Sequence, residues 1–250
     1  MAKYYTAMGG LENLRAWKSM KAAAKYILVA QGGAEVPIAV WYKAPDKTRV
    51  EIFQNGTKAV YVVTGESAWM CDASRGFSEP TPLPEDQARE AIDNADVYPF
   101  IDYQKKGHKV EFLGIEEFEG AEVYKLKLRQ KSGAESLHLL DVRTGKELKI
   151  INTIRRNGKE MTYETIERDF RKVDWLLLPF LTEHFINGIK VRKMLIEDVE
   201  INLEIDDALF QPGKNKQELI QDMRIPYDTD NRLKPNTFLK AERITILRYF

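Results

Sequence analysis

Apolar and polar residues alternate along most of the chain. In KVEFLGIEEFEGAEVYKLKLRQ, residues 109–130, two alternating stretches flank an acidic, turn-like Glu116-Glu117-Phe118-Glu119-Gly120. Side chains on a strand point to opposite faces in turn, so a period of two predicts half-buried β-strands. Such runs lie near 22–31, 36–43, 48–54, 57–64 and 67–71. They resume near 108–114, 121–130, 135–141, 146–155, 160–171, 178–187 and 189–205, the last broken in places. Together they predict roughly ten to twelve strands.

Asn55-Gly56, Asn157-Gly158 and Asn187-Gly188 fall between these runs. Asn-Gly supplies the positive φ angles of two-residue hairpin turns, so consecutive strands are predicted to be antiparallel neighbours. Helix is predicted in two places only. The opening segment is helical but interrupted at Gly9-Gly10, with Leu11, Leu14, Trp17 and Lys18 at helical spacing afterwards. Between 72 and 106 the alternation lapses into SEPTPLPED, a helical EDQAREAIDNA and a second short helix around 98–103. The fold class is therefore mainly β with a few helices (α+β), the helices packing on a curled sheet.

A curled antiparallel sheet with so few helices is covered on one face and solvated on the other. Val50 and Ile52 alternate with Arg49 and Glu51, while Tyr124, Leu126 and Leu128 alternate with Lys125, Lys127 and Arg129. Ile201, Leu203 and Ile205 alternate with Glu200, Asn202 and Glu204. If the helices fill the concave side only in part, the remaining space is an apolar cavity suited to lipid; if side chains fill it, it is a core. The candidate cavity residues are Ile38, Val40, Val50, Ile52, Tyr61, Trp69, Tyr124, Leu126, Leu128, Leu148 and Ile150. Pro99, Phe100 and Ile101 are the candidate lid, with Pro99 starting a helix and Phe100 and Ile101 covering Val50, Ile52 and Trp69.

Composition removes several alternatives. The 250 residues are 44% hydrophobic and 30% charged, ordinary for a globular chain. Thirty-eight basic residues balance 38 acidic ones, so no global field draws nucleic acid or an anionic membrane. No run approaches the ~20 apolar residues that cross a bilayer as a helix, so an integral membrane protein is not expected. The N-terminus lacks a basic segment followed by an apolar core, so no signal peptide is expected; a cytosolic protein and a mature exported form both fit.

Chemical motifs are scarce. The lone Cys71 has no disulfide partner and no companions for a cysteine metal site. The chain has no G-x-S-x-G, P-loop, Rossmann fingerprint or H-E-x-x-H. His108, His138 and His184 fall on separate strands and read as surface or strand-edge residues. Asp206, ahead of Ala208-Leu209-Phe210, suits an N-cap for a last short turn. No catalytic residue and no metal ligand is assigned.

The order of the pieces resembles the LolA-like family of outer-membrane lipoprotein-sorting proteins. The resemblance rests on YYTAMGGLENLRAWKSMKA, YKAPDKTRVEI, GESAWMCDASRGFSEPTPLPEDQA, the block from ADVYPFIDYQKKGHKV to VYKLKL, LLDVRTGKELKI, LLLPFLTEHFINGI and VEINLEIDDALFQP. It spans about residues 1–212 and leaves 213–250 as a C-terminal extension of unknown role, genuine or non-native. It implies an unclosed antiparallel β half-barrel whose concave face is lidded by helices. It further implies a periplasmic, non-enzymatic carrier of lipoprotein acyl chains or another lipid, its leader removed, without cofactor. Membrane-associated donor and acceptor proteins are the implied partners, and a monomer is expected. A sensor or assembly module of the same shape, binding a protein partner, is the alternative. The family's lid-latching arginine falls at Ala44 here, with Lys43 before it and Arg49 after Pro45.

Overall fold

The computed structural model describes residues 1–212 apart from 55, 157 and 158. The extension at 213–250 lies outside these residues, as do parts of the Asn55-Gly56 and Asn157-Gly158 turns. Two short helices open the chain, α1 (Ala2–Met8) and α2 (Leu11–Ala16). Gly9 ends the first with φ 119, a conformation open to glycine, and a side chain there would run into the backbone of Trp175.

Six strands follow: β1 (Ser19–Leu28), β2 (Ala34–Lys43), β3 (Lys47–Gln54), β4 (Thr57–Val63), β5 (Ala68–Asp72) and β6 (Phe77–Pro82). After α3 (Glu85–Asn94) come β7 (Lys109–Phe118), β8 (Ala121–Arg129), β9 (Glu135–Asp141) and β10 (Glu147–Arg156). The last three are β11 (Lys159–Val173), β12 (Leu176–Ile186) and β13 (Ile189–Ile201). These 13 strands form one sheet, and every strand pair is antiparallel. Its edges, β6 and β7, do not meet, which leaves an open half-barrel.

The strand order explains the lid. The chain starts mid-sheet at β1 and steps outward to the β6 edge; after crossing to the β7 edge, it steps back until β13 pairs with β1. The crossing segment, α3 and residues 95–108, spans the concave opening from edge to edge. Topology alone thus places a covering segment over the concave face.

Several local expectations change. β6 lies within the Pro-rich stretch read as loop; an edge strand accommodates Pro80 and Pro82 because its outer side needs no ladder donors. The short helix expected at 98–103 is instead a run of turns, with Ile101 N–H donating to Tyr98 C=O and Lys106 N–H to Asp102 C=O. The run read as 189–205 ends at Ile201, where Asn202 takes φ 57. The hairpin at Asn187-Gly188 has positive φ at both residues, 49 and 77, as Asn-Gly predicts.

The sheet buries apolar residues on both faces. The main core fills the concave side, where Ile38, Val40, Val50, Val63, Met70, Leu128 and Leu178 pack with Tyr4, Leu14, Trp17, Tyr98 and Phe100. The convex side of β2–β5 was expected to be solvated, but residues 203–210 cover it. Ala39, Trp41, Val60, Val62 and Trp69 pack there against Ile205 and Phe210. Asp206 caps this last turn through a 2.8 Å bond from Ala208 N–H, as its sequence position suggests. Beneath it, Arg49 donates from Nε (2.9 Å) and Nη2 (2.6 Å) to Glu51, and from Nη1 (2.8 Å) to the Leu209 carbonyl.

Candidate binding site beneath the lid

Residues 95–108 form the lid, and their apolar side chains point into the sheet. Phe100 is fully buried and meets the Tyr4 ring edge-on at 5.3 Å and the His138 ring at 4.7 Å. Tyr98 packs edge-on against Trp17 at 5.0 Å, and Trp17 stacks on Tyr42 of β2 at 4.5 Å. The lid therefore rests on the two N-terminal helices as much as on the sheet.

Polar contacts hold it there. Tyr5 Oη donates to the Phe100 carbonyl at 2.9 Å. Arg15 of α2 grips Asp102 with both arms, Nε at 3.0 Å and Nη2 at 2.6 Å, a two-point geometry available to arginine and not to lysine. The hydrogen bond from Arg15 holds the Asp102 carboxyl below the ordinary carboxylate range. Lys106 bonds Asp96 at 2.7 Å and the Tyr98 carbonyl at 2.9 Å, closing the segment on itself.

Two spaces adjoin the lid. On the rim side, a cleft of about 860 Å³ is bounded by Trp17, Tyr42, Pro45, Tyr98, Ile101 and Lys106. Beneath α1 lies an inner cavity of about 100 Å³, lined mostly by Met8, Met20, Ile150, Leu178, Met194 and Ile196, with Tyr98 and Tyr4 at its wall. Tyr98 borders both.

The cavity also has polar walls. Glu147 and Glu167 line it. Burial, then the neighbouring Glu147, raises the Glu167 carboxyl well above the ordinary carboxylate range, which favours its neutral form. His184 lies between Thr165 and Thr182; burial, then the Arg192 cation, holds its pKa well below the ordinary histidine value. His138 stands between Ser136 and Glu147. His138 and His184 are each 2% exposed, so their reading as surface residues is overturned. Polar residues two apart on facing strands, as in Ser136-Leu137-His138 and Thr182-Glu183-His184, were the available signal.

No family model and no curated protein sequence matches the chain. Solved structures do. A domain assigned to outer membrane lipoprotein sorting from Vibrio parahaemolyticus superposes with TM-score 0.58 at 12% identity, over 80% of this chain and 95% of that one. A LolA superfamily protein from Nitrosomonas europaea gives 0.56 at 14% identity, over 78% and 90%. The chain has a LolA-like fold. A DUF1329 family protein from Desulfovibrio piger shares it, with TM-score 0.59 at 14% identity over 80% of this chain and 92% of that one.

Within the LolA-like fold, the predicted site residues divide. Ile38, Val40, Val50, Tyr61, Leu126 and Leu128 are buried in the main core, with Ile52 and Tyr124 half-buried against it. Ile150 lines the inner cavity. Leu148 is half-buried at a bulge between Glu147 and Lys149. Trp69 is misplaced: alternation sends Ala68 and Met70 of β5 inward, so Trp69 faces outward against Phe210. Phe100 and Ile101, the candidate lid residues, are buried in the main core. Phe100, however, meets Tyr4 and His138 rather than Trp69, because the crossing reaches the β9 side at that point.

Proposed function

We propose that residues 1–212 form a carrier that shields an acyl chain or another apolar ligand beneath the 95–108 lid. The observation that carries this reading is Tyr98, which borders both an open 860 Å³ cleft and the inner cavity. Displacing the lid joins the two spaces. Each methylene then buried contributes about 0.8 kcal/mol, which offsets the lost contacts of Phe100 and Tyr98 as the chain lengthens. Work in the periplasm as a monomer, between membrane-associated donor and acceptor proteins, belongs to the same reading. Among the described residues no helix is long and apolar enough to cross a membrane.

A second reading has its own support. The edge strand β7 exposes Phe112, Leu113 and Ile115, a row suited to pairing with a protein partner. Uptake of a fluorescent fatty acid by delipidated protein separates the two. The carrier reading expects saturable uptake, increased by Phe100→Ser and unaffected by Lys127→Ser on the outer face. Equal responses of the two variants, or no uptake by any of the three proteins, would leave the partner-binding reading standing alone.

A further inference from the structure

Ser136, His138 and Glu147 form one hydrogen-bonded line on the concave face. Ser136 and His138 are two apart on β9 and share a face, and Glu147 opens the adjoining strand β10. Ser136 Oγ lies 2.8 Å from His138 Nε2, while His138 Nδ1 meets a Glu147 carboxylate oxygen. An ionised carboxylate only accepts, so Glu147 keeps the proton on Nδ1 and leaves Nε2 to accept from the serine hydroxyl. The order of contacts is that of a nucleophile, a base and the group that orients the base.

The serine is 4% exposed and forms part of a cleft wall. It is the second residue of β9, beside the 130–134 turn, and it lines a cleft of about 270 Å³ between α3 and β9–β11. Gln130 and Asn152 line the same cleft, and Asn152 is the cross-strand partner of Ser136. Both amides carry N–H donors, and neither side chain has a hydrogen-bond partner among the described residues. On the inner side, Phe100 of the lid packs on the His138 ring.

We infer that Ser136 is the nucleophile of an ester-hydrolysing site, with His138 as its general base and Glu147 orienting the imidazole. Ser136 Oγ bonds to the carbonyl carbon as its proton passes to His138 Nε2. The carbonyl π pair moves to oxygen, where Asn152 and Gln130 N–H groups stabilise the negative charge. That pair returns, the bond to the alcohol oxygen breaks, and the departing alcohol takes the proton from His138. Water then attacks the acyl-serine with the same base, releasing a carboxylic acid and restoring Ser136. Asp86, Arg89 and Asp93 line the same cleft and suit a polar alcohol. The substrate class is therefore a carboxylic ester of a polar alcohol.

Incubation of the wild-type full chain with an alkyl fluorophosphonate tests this directly, since such a probe phosphonylates an activated serine. Peptide mass mapping should find the adduct on Ser136, and Ser136→Ala should take none. Turnover of para-nitrophenyl octanoate should fall about 10²–10⁴-fold in His138→Gln, the loss of a general base. In Asn152→Ala it should fall about 10²–10³-fold, the loss of one oxyanion donor. No adduct on wild-type Ser136 overturns the inference, as does an adduct at another residue with ester turnover unchanged in Ser136→Ala. Because the decisive reading is made on the wild type, a variant that fails to fold cannot protect the proposal.

Discussion

The two wings of the sheet use the same concave face differently. In β2–β4 the inward positions include Ile38, Val40, Val50, Ile52 and Val63, all apolar and part of the main core, with Trp41, Trp69 and Phe210 clustered on the convex side. In β9–β13 the inward positions include Ser136, His138, Glu147, Glu167, Thr182, His184 and Arg192, and Glu147, Glu167 and Thr182 line the inner cavity. The first wing keeps its buried Arg49–Glu51 pair on the convex side, away from the concave packing. Buried polar groups demand partners and resist close packing, so the space remains where they are. The first wing serves as a rigid wall, and the second holds whatever chemistry the molecule has.

The largest effect should come from the wall. Trp69→Ala should cost about 3–5 kcal/mol in urea unfolding by emptying the convex cluster, yet leave fatty-acid uptake intact at temperatures where the variant is folded. A change in uptake would mean that the wings are not separable. Next, Ile38→Ala should cost about 2–5 kcal/mol with no gain in uptake, whereas Ile150→Ala should cost near the lower end, about 2 kcal/mol, and increase uptake. Identical behaviour of the two would break the distinction between wall and cavity.

The third test concerns pH. Folded Glu167 holds its proton above the unfolded value of about 4.3, so its contribution to stability is present at lower pH and is lost as pH rises from there. Glu167→Gln should therefore raise the Tm at pH 7 and have little effect near pH 4. Folded His184 has the opposite tendency, since the unfolded chain takes up its proton below about pH 6.5 and stability falls as pH drops. Val50→Ala, in the wall, should shift the Tm equally at every pH, and calorimetry across pH 4–8 (roughly the span between the ordinary Glu and His values and neutrality) compares the three. The smallest effect is expected at the lid. Arg15→Ala should hardly move the Tm, because both partners reach solvent, but should speed fatty-acid uptake measured by stopped flow.

The strands, the antiparallel order, the break at Gly9-Gly10 and the capping Asp206 were legible because each depends on neighbours in sequence. A period of two, a positive φ or a side chain reaching its own backbone is a local property. The order of the pieces also carried the resemblance to the LolA-like family, whose fold the structure has. Which face a strand turns inward is not local. Trp69 and Met70 are equally apolar, and only pairing with β4 and coverage by residues 205–210 send one outward.

The histidines failed for a related reason. Ser136-Leu137-His138 reads as surface alternation until the crossing from β6 to β7 lays Phe100 over it and β10 brings Glu147 alongside. The tie between Arg15 and Asp102 joins positions 87 residues apart, so it leaves no spacing to read. Sequence by itself determined most of the strands and their antiparallel succession. Tertiary structure alone decided which side chains the cover meets, because those contacts depend on how far the sheet curls and where the crossing chain lands.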